Sequence, residues 1–124
     1  PVTGVVDPGE HPATAAVRET FEETRVDAKI ERLAQVHVTD QVTHANGDIA
    51  QYTGLVFRCR YLGGIAGVGD DESRQVRWWP SNLLPPMRQV HRDAIRAAIA
   101  SDPLCELRDG DKIIPVRPPV QGLG

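Results

Sequence analysis

The spacing of apolar and polar positions changes several times along this chain, and each change marks an expected element. Residues 4–9 show no period, and Asp7-Pro8-Gly9 is a turn signal inside a loop. His11-Pro12 then opens a helix, because proline is well tolerated at the first helical position, and the helical pattern runs to about Thr24. Ala28 to Thr39 carries short β-type runs. Asn46-Gly47 forms a turn, and Gln51 to Leu62 comes after it as a strand in which apolar and basic residues partly alternate. Gly63-Gly64 to Asp71 reads as a flexible loop, and Arg74 to Trp79 as a short strand. Pro85-Pro86 starts a second helix, expected to run to about Ala100 with Val90, Ala94, Ile95, Ala98 and Ile99 as its apolar stripe. Residues 103–124 are rich in Pro and Gly and read as a loose tail, with one edge strand expected at Lys112 to Val116. Mixed strands with two helices predict an α/β or α+β layered domain over residues 1–102.

Totals narrow the function classes. A length of 124 residues suits one domain with a modest core. The net charge of -3 gives no general basic surface of the kind nucleic acid attracts. No apolar run approaches the roughly 20 residues that span a bilayer. Cys59 and Cys105 are the two cysteines, and they make neither a metal-ligand spacing nor a disulfide framework. Reduced thiols and a cytoplasmic location are therefore expected. His11, His37, His44 and His91 are scattered and give no zinc pattern.

The chemistry concentrates in the first helix. At about 100° per residue, Glu22 and Glu23 fall near -60° and +40° from Glu19. Three carboxylates thus share one arc, while Ala13, Val17, Thr20, Phe21 and Thr24 take the other side. Glu19 and Glu23 are a like-charge pair at i,i+4, which costs helix stability rather than adding to it. Arg18 reaches Glu22 and is the one cation in the helix sequence before Arg25. A hard divalent cation would neutralise such a set, since Mg²⁺ takes carboxylate oxygens and keeps positions for water and phosphate. The Gly-containing loop before the helix lets backbone approach a ligand.

Gly4, Glu10, Arg18, Glu19, Glu22, Glu23 and Val26 match a known pattern. Gly4, five residues, Glu10, seven residues, then Arg18-Glu19-Thr20-Phe21-Glu22-Glu23-Thr24-Arg25-Val26 resembles the Nudix box. Thr20 stands where that family carries a bulky apolar residue. Arg25 stands where it carries a glycine that ends the helix in a left-handed turn, a substitution costing roughly 1 kcal/mol. Neither change removes a carboxylate. The family usually has several strands before the box, and here Pro1-Val2-Thr3 alone precede Gly4, so N-terminal strands are expected to be missing from this stretch of chain.

The resemblance implies a Nudix-type α/β/α sandwich with a mixed sheet. It implies a pyrophosphohydrolase that cleaves a nucleoside diphosphate linked to another moiety, by metal-assisted attack of water on phosphorus. Mg²⁺, with Mn²⁺ as a substitute, is the implied cofactor, and Glu22, Glu23 and Glu19 are its implied ligands. The backbone carbonyl of Thr3 is a candidate further ligand. Arg18 is implied to orient the carboxylates, with Glu10 in the same network, and Glu19 either binds metal or positions water. Asp70, Asp71 and Glu72 are candidates for the general base, with Glu72 favoured; a plain solvated turn is the competing role for this stretch. Trp79 and His44 are candidate substrate contacts, against core and exposed hairpin roles respectively. The expected partner is a small nucleotide, with no nucleic acid and no membrane, and a homodimer is left open. The rival reading is a non-catalytic nucleotide-binding module that senses a ligand.

Overall fold

The computed structural model of the chain describes residues 2–67 and 84–116. Its first element is helix α1 (Pro12–Thr24), and the proline does stand in the opening turn. His11 caps the helix: its Nδ1 accepts the Ala13 N–H at 3.0 Å. The helix ends at Arg25, which adopts φ 62° and donates its N–H to the Phe21 carbonyl. The left-handed position implied by the resemblance is therefore present and is filled by arginine.

Strands β1 (Asp27–Val38) and β4 (Thr53–Gly63) pair antiparallel over most of their length. Between them, β2 (Val42–Thr43) and β3 (Ile49–Ala50) form a small hairpin around the Asn46-Gly47 turn. Helix α2 (Gln89–Ile99) comes next, then β5 (Glu106–Asp109) and β6 (Lys112–Ile114). The main sheet has the order β4-β1-β5-β6. β5 lies parallel to β1, and the other neighbours are antiparallel, so the sheet is mixed. Both helices pack on it, which gives an α/β fold with a mixed sheet.

Two irregularities in β1 decide which side chains meet α2. Ile30 sits opposite Cys59, and the next paired residue, Arg32, sits opposite Arg58. Leu33 sits opposite Phe57, and Gln35 opposite Val56. Glu31 and Ala34 are each passed over, and each such bulge reverses the face taken by the residues beyond it. Ile30 consequently lies beside Ala13, Thr14 and Val17 of α1. Arg32 and Gln35 instead reach residues 93–100 of α2 and its C-terminal end. Among the described residues the buried set is built from small residues: Ala15, Val26, Ala28, Ala34, Ala94 and Ala97, together with Gln35 and Asp93.

Several sequence expectations need correction. α2 begins at Gln89 and not at the proline pair: Arg88 is its extended N-cap (φ -63°, ψ 149°), and Pro85, which precedes Pro86, is disfavoured in helical geometry. The stripe is displaced as well: Ala94 faces inward as expected, but Val90 and Ile99 are exposed, and Asp93 and Ala97 face inward in their place. Asp93 can do this because Gln89, Arg96 and Arg108 all contact its carboxylate. Residues 106–114 are not loose: two strands, not one, extend the sheet, with β6 at its edge. In α1, Phe21 was expected on the buried side but is 41% exposed, with the Arg25 guanidinium 5.5 Å from its ring centre. The expected strand at Arg74 to Trp79 lies outside the described residues.

Candidate active site

The loop before α1 and the helix itself are joined through Arg18. Its Nε donates to Glu10 Oε2 at 2.8 Å and its Nη2 to Glu10 Oε1 at 2.9 Å, a bidentate pair. Nη1 reaches Glu19 Oε1 at 2.9 Å and Glu22 Oε2 at 3.2 Å. Asp7 Oδ2 lies 3.4 Å from Nη2, and Nη2 also approaches the Val5 carbonyl. One guanidinium thus serves four carboxylates. Glu10 closes the loop from its other side by accepting the Asp7 N–H at 3.2 Å, while the Glu10 N–H donates to the Asp7 carbonyl. The hydrogen bonds from Arg18 hold the Glu10 carboxyl below its ordinary value, and the same pairing pushes the Arg18 guanidinium up. Asp7 was legible in the sequence as a turn residue alone. Its part here depends on the loop folding back over α1.

Glu19 is seated more deeply than Glu22. A Cβ added to Gly4 would overlap the Glu19 carboxylate, so the loop backbone lies directly against that side chain. The Glu19 side chain is 20% exposed, against 53% for Glu22. Glycine at position 4 is what allows this approach. The placement of the acids is also costly for the helix. α1 has no acidic residue in its first turn and no basic residue in its last, while Glu22 and Glu23 sit where the negative end of the dipole disfavours them. An arrangement that works against helix stability at several neighbouring positions makes this face a candidate functional surface.

The donor set suits a hard divalent cation. Among the described residues no group of three or more His, Cys, Asp or Glu side chains stands ready to hold a metal ion. Mg²⁺ does not require one, since it is commonly held by one or two carboxylates with waters and substrate phosphates completing the shell. Glu19, Glu22 and Glu23 occupy one face of α1, and Glu22 is open to solvent, so the residues present fit such an ion.

The other sequence candidates fall elsewhere. His44 lies in the β2–β3 hairpin, where its Nε2 is 2.8 Å from the Tyr52 hydroxyl and the two rings meet edge to face. Its remaining hydrogen bonds run within the turn, to Asp48 and Gly47. Glu72 and Trp79, with Asp70 and Asp71, lie outside the described residues. A feature not foreseen is the polar cluster on the α2 face. Gln35, 1% exposed, donates to Glu106 at 2.9 Å and accepts from His37, and Arg108 bridges Glu106 and Asp93. This cluster floors a cleft of about 270 Å³ whose lining comes from β1, α2 and the β5–β6 end, with none from α1. Asp93, set among the apolar residues of the second helix, was its signal in the sequence.

The sequence profile of the NUDIX domain matches residues 1–98. A MutT-like protein of Streptomyces ambofaciens is 33% identical over 116 residues, which is 90% of this chain and 68% of that protein. Taken with the mixed α/β fold and a loop-and-helix that gathers the box acids around Arg18, these matches show that the chain belongs to the Nudix hydrolase family.

Proposed function

We propose that this protein is a Mg²⁺- or Mn²⁺-dependent pyrophosphohydrolase acting on a nucleoside diphosphate linked to a further group. The observation that carries this reading is the α1 face, where Arg18 ties Glu19 and Glu22 to Glu10 of the preceding loop and Glu23 follows Glu22 in the same turn. Glu22 and Glu23 are the proposed cation ligands, with Glu19 as a third ligand or as the group that orients water. When bound, the cation neutralises phosphate oxygens and makes the attacking water a better nucleophile. Arg18 keeps Glu19 and Glu22 from repelling one another before the cation arrives, and Glu10 fixes the guanidinium that does so. In the reaction an oxygen of water bonds to phosphorus and the anhydride P–O bond breaks, with the water proton passing to a carboxylate. Glu72 is the acid proposed for that proton on sequence grounds. The open substrate classes are nucleoside triphosphates, oxidised or not, ADP-ribose, other nucleotide sugars and dinucleoside polyphosphates. Free Cys59 and Cys105 suit a cytoplasmic setting.

The test is a turnover screen over these nucleotides with and without Mg²⁺, read by chromatographic separation of the mononucleotide product, on the parent and on Glu23→Gln. Turnover that needs the cation and falls by about 10²-fold or more in the variant is expected, the scale of losing one group from a preorganised site. The melting temperature of the variant without metal should hold or rise, because a like-charge contact has been removed. Metal-independent turnover, or a variant as active as the parent, would overturn the proposal. Nucleotide binding without turnover would favour the sensing module.

A further inference from the structure

The helix that carries the carboxylates is held at two places by different means. At its middle, Arg18 fastens it through Glu10 to the preceding loop. Its C-terminal end is fastened to the chain that leaves β4. The Gly67 N–H donates to the Thr24 carbonyl at 2.9 Å. The Tyr61 hydroxyl donates to the Gly64 carbonyl at 2.7 Å, which fixes the bend between them. Gly64, at φ 94°, lies directly against the Arg25 carbonyl, and a Cβ there would overlap that oxygen.

We propose that this joint sets where the carboxylate face of α1 stands, and that Gly64 is a positioning residue for the divalent cation. The proposal rests on the cation-binding reading of α1. Arg25 is the residue that closes the helix, and Glu22 and Glu23 belong to the turn just before it. The atom facing Gly64 is a backbone carbonyl, so it cannot swing aside as the end of a long side chain would. A methyl group at position 64 must therefore displace the last turn of α1, or the loop, by on the order of 1 Å. A displacement of that size in a catalytic site can cost about 10²-fold. The strain of a positive φ at a non-glycine residue pushes in the same direction.

The experiment is a Mn²⁺ titration of the full chain, read from the paramagnetic resonance signal of free Mn²⁺, alongside melting curves. Four proteins are compared: the parent, Gly64→Ala, Tyr61→Phe and Gly63→Ala. Gly63 is the control, since a Cβ there meets nothing within 4 Å. Gly64→Ala should weaken Mn²⁺ binding by about 10-fold or more, the scale on which losing support behind a ligand acts, and Tyr61→Phe by a smaller factor. Gly63→Ala should match the parent. In turnover assays kcat should fall for Gly64→Ala while KM for the nucleotide stays near that of the parent. A lowered melting temperature with unchanged Mn²⁺ affinity in Gly64→Ala would mean a merely structural role and would overturn the proposal. If Gly64→Ala does not fold, Tyr61→Phe decides, and unchanged affinity there overturns it equally. A parent that binds no Mn²⁺ removes the cation-binding reading itself, which is a distinguishable result.

Discussion

Replacing Arg25 by glycine tests how this chain tolerates a departure from the Nudix box. Arg25 holds φ 62°, and a residue with a Cβ pays about 1–2 kcal/mol for that conformation. Glycine removes this cost, but the loss of side-chain contacts and a looser unfolded chain oppose the gain. The Arg25 guanidinium stands 5.5 Å from the Phe21 ring centre, and a cation–π contact at an exposed site contributes about 0.5–1 kcal/mol. Glycine also frees the unfolded chain, which costs about 0.4–1 kcal/mol. The three nearly cancel, so Arg25→Gly should lie within about 0.5 kcal/mol of the parent. Arg25→Ala keeps the strain and loses the contact, so it should be less stable than Arg25→Gly by about 0.5–1 kcal/mol, or roughly 2–5 °C in melting temperature. Denaturant unfolding of the parent and both variants, repeated in a Phe21→Leu background, separates the contributions. In that background Arg25→Gly should turn stabilising, since the contact is already gone, with a coupling of about 0.5–1 kcal/mol. An alanine variant as stable as the glycine variant would show that the αL strain is no larger than the cost of glycine in the unfolded chain, and would refute the reasoning.

Arg32→Met should destabilise the protein by about 1–3 kcal/mol, because Arg32 Nη2 donates to the carbonyls of Ala97 at 3.0 Å and Ala100 at 2.9 Å and so closes the end of α2; unchanged urea unfolding would refute it. Glu10→Gln should lower the melting temperature near neutral pH, and the gap from the parent should close in acid. The folded-state value of Glu10 lies below the ordinary 4.5, so its contribution is complete above that value and is lost as pH falls through the depressed one. Melting curves across that range check this, and a gap that persists in strong acid would assign the effect to shape and not to charge.

The local features of this protein come from its sequence. Pro12 opens α1 and Arg25 closes it, because a first-turn proline and a helix-ending residue act within a few positions of themselves. The Asn46-Gly47 turn and the two long strands have the same local origin. The spacing that puts Glu19, Glu22 and Glu23 on one arc is helical geometry and needs no tertiary contact. Tertiary structure decided what surrounds those acids. Asp7 and Glu10 meet Arg18 because the loop doubles back, and the approach of Gly4 to Glu19 depends on the same fold. β5 finds β1 across 71 positions, from Gln35 to Glu106, a pairing whose favourable contacts arise only after a long loop has closed. The bulges at Glu31 and Ala34 turn Arg32 and Gln35 toward α2, and no alternation of residue types announces where a strand will skip a partner. Asp93 reads as a break in an apolar stripe until Arg108, on a strand beyond the helix, supplies the charge that lets it be buried.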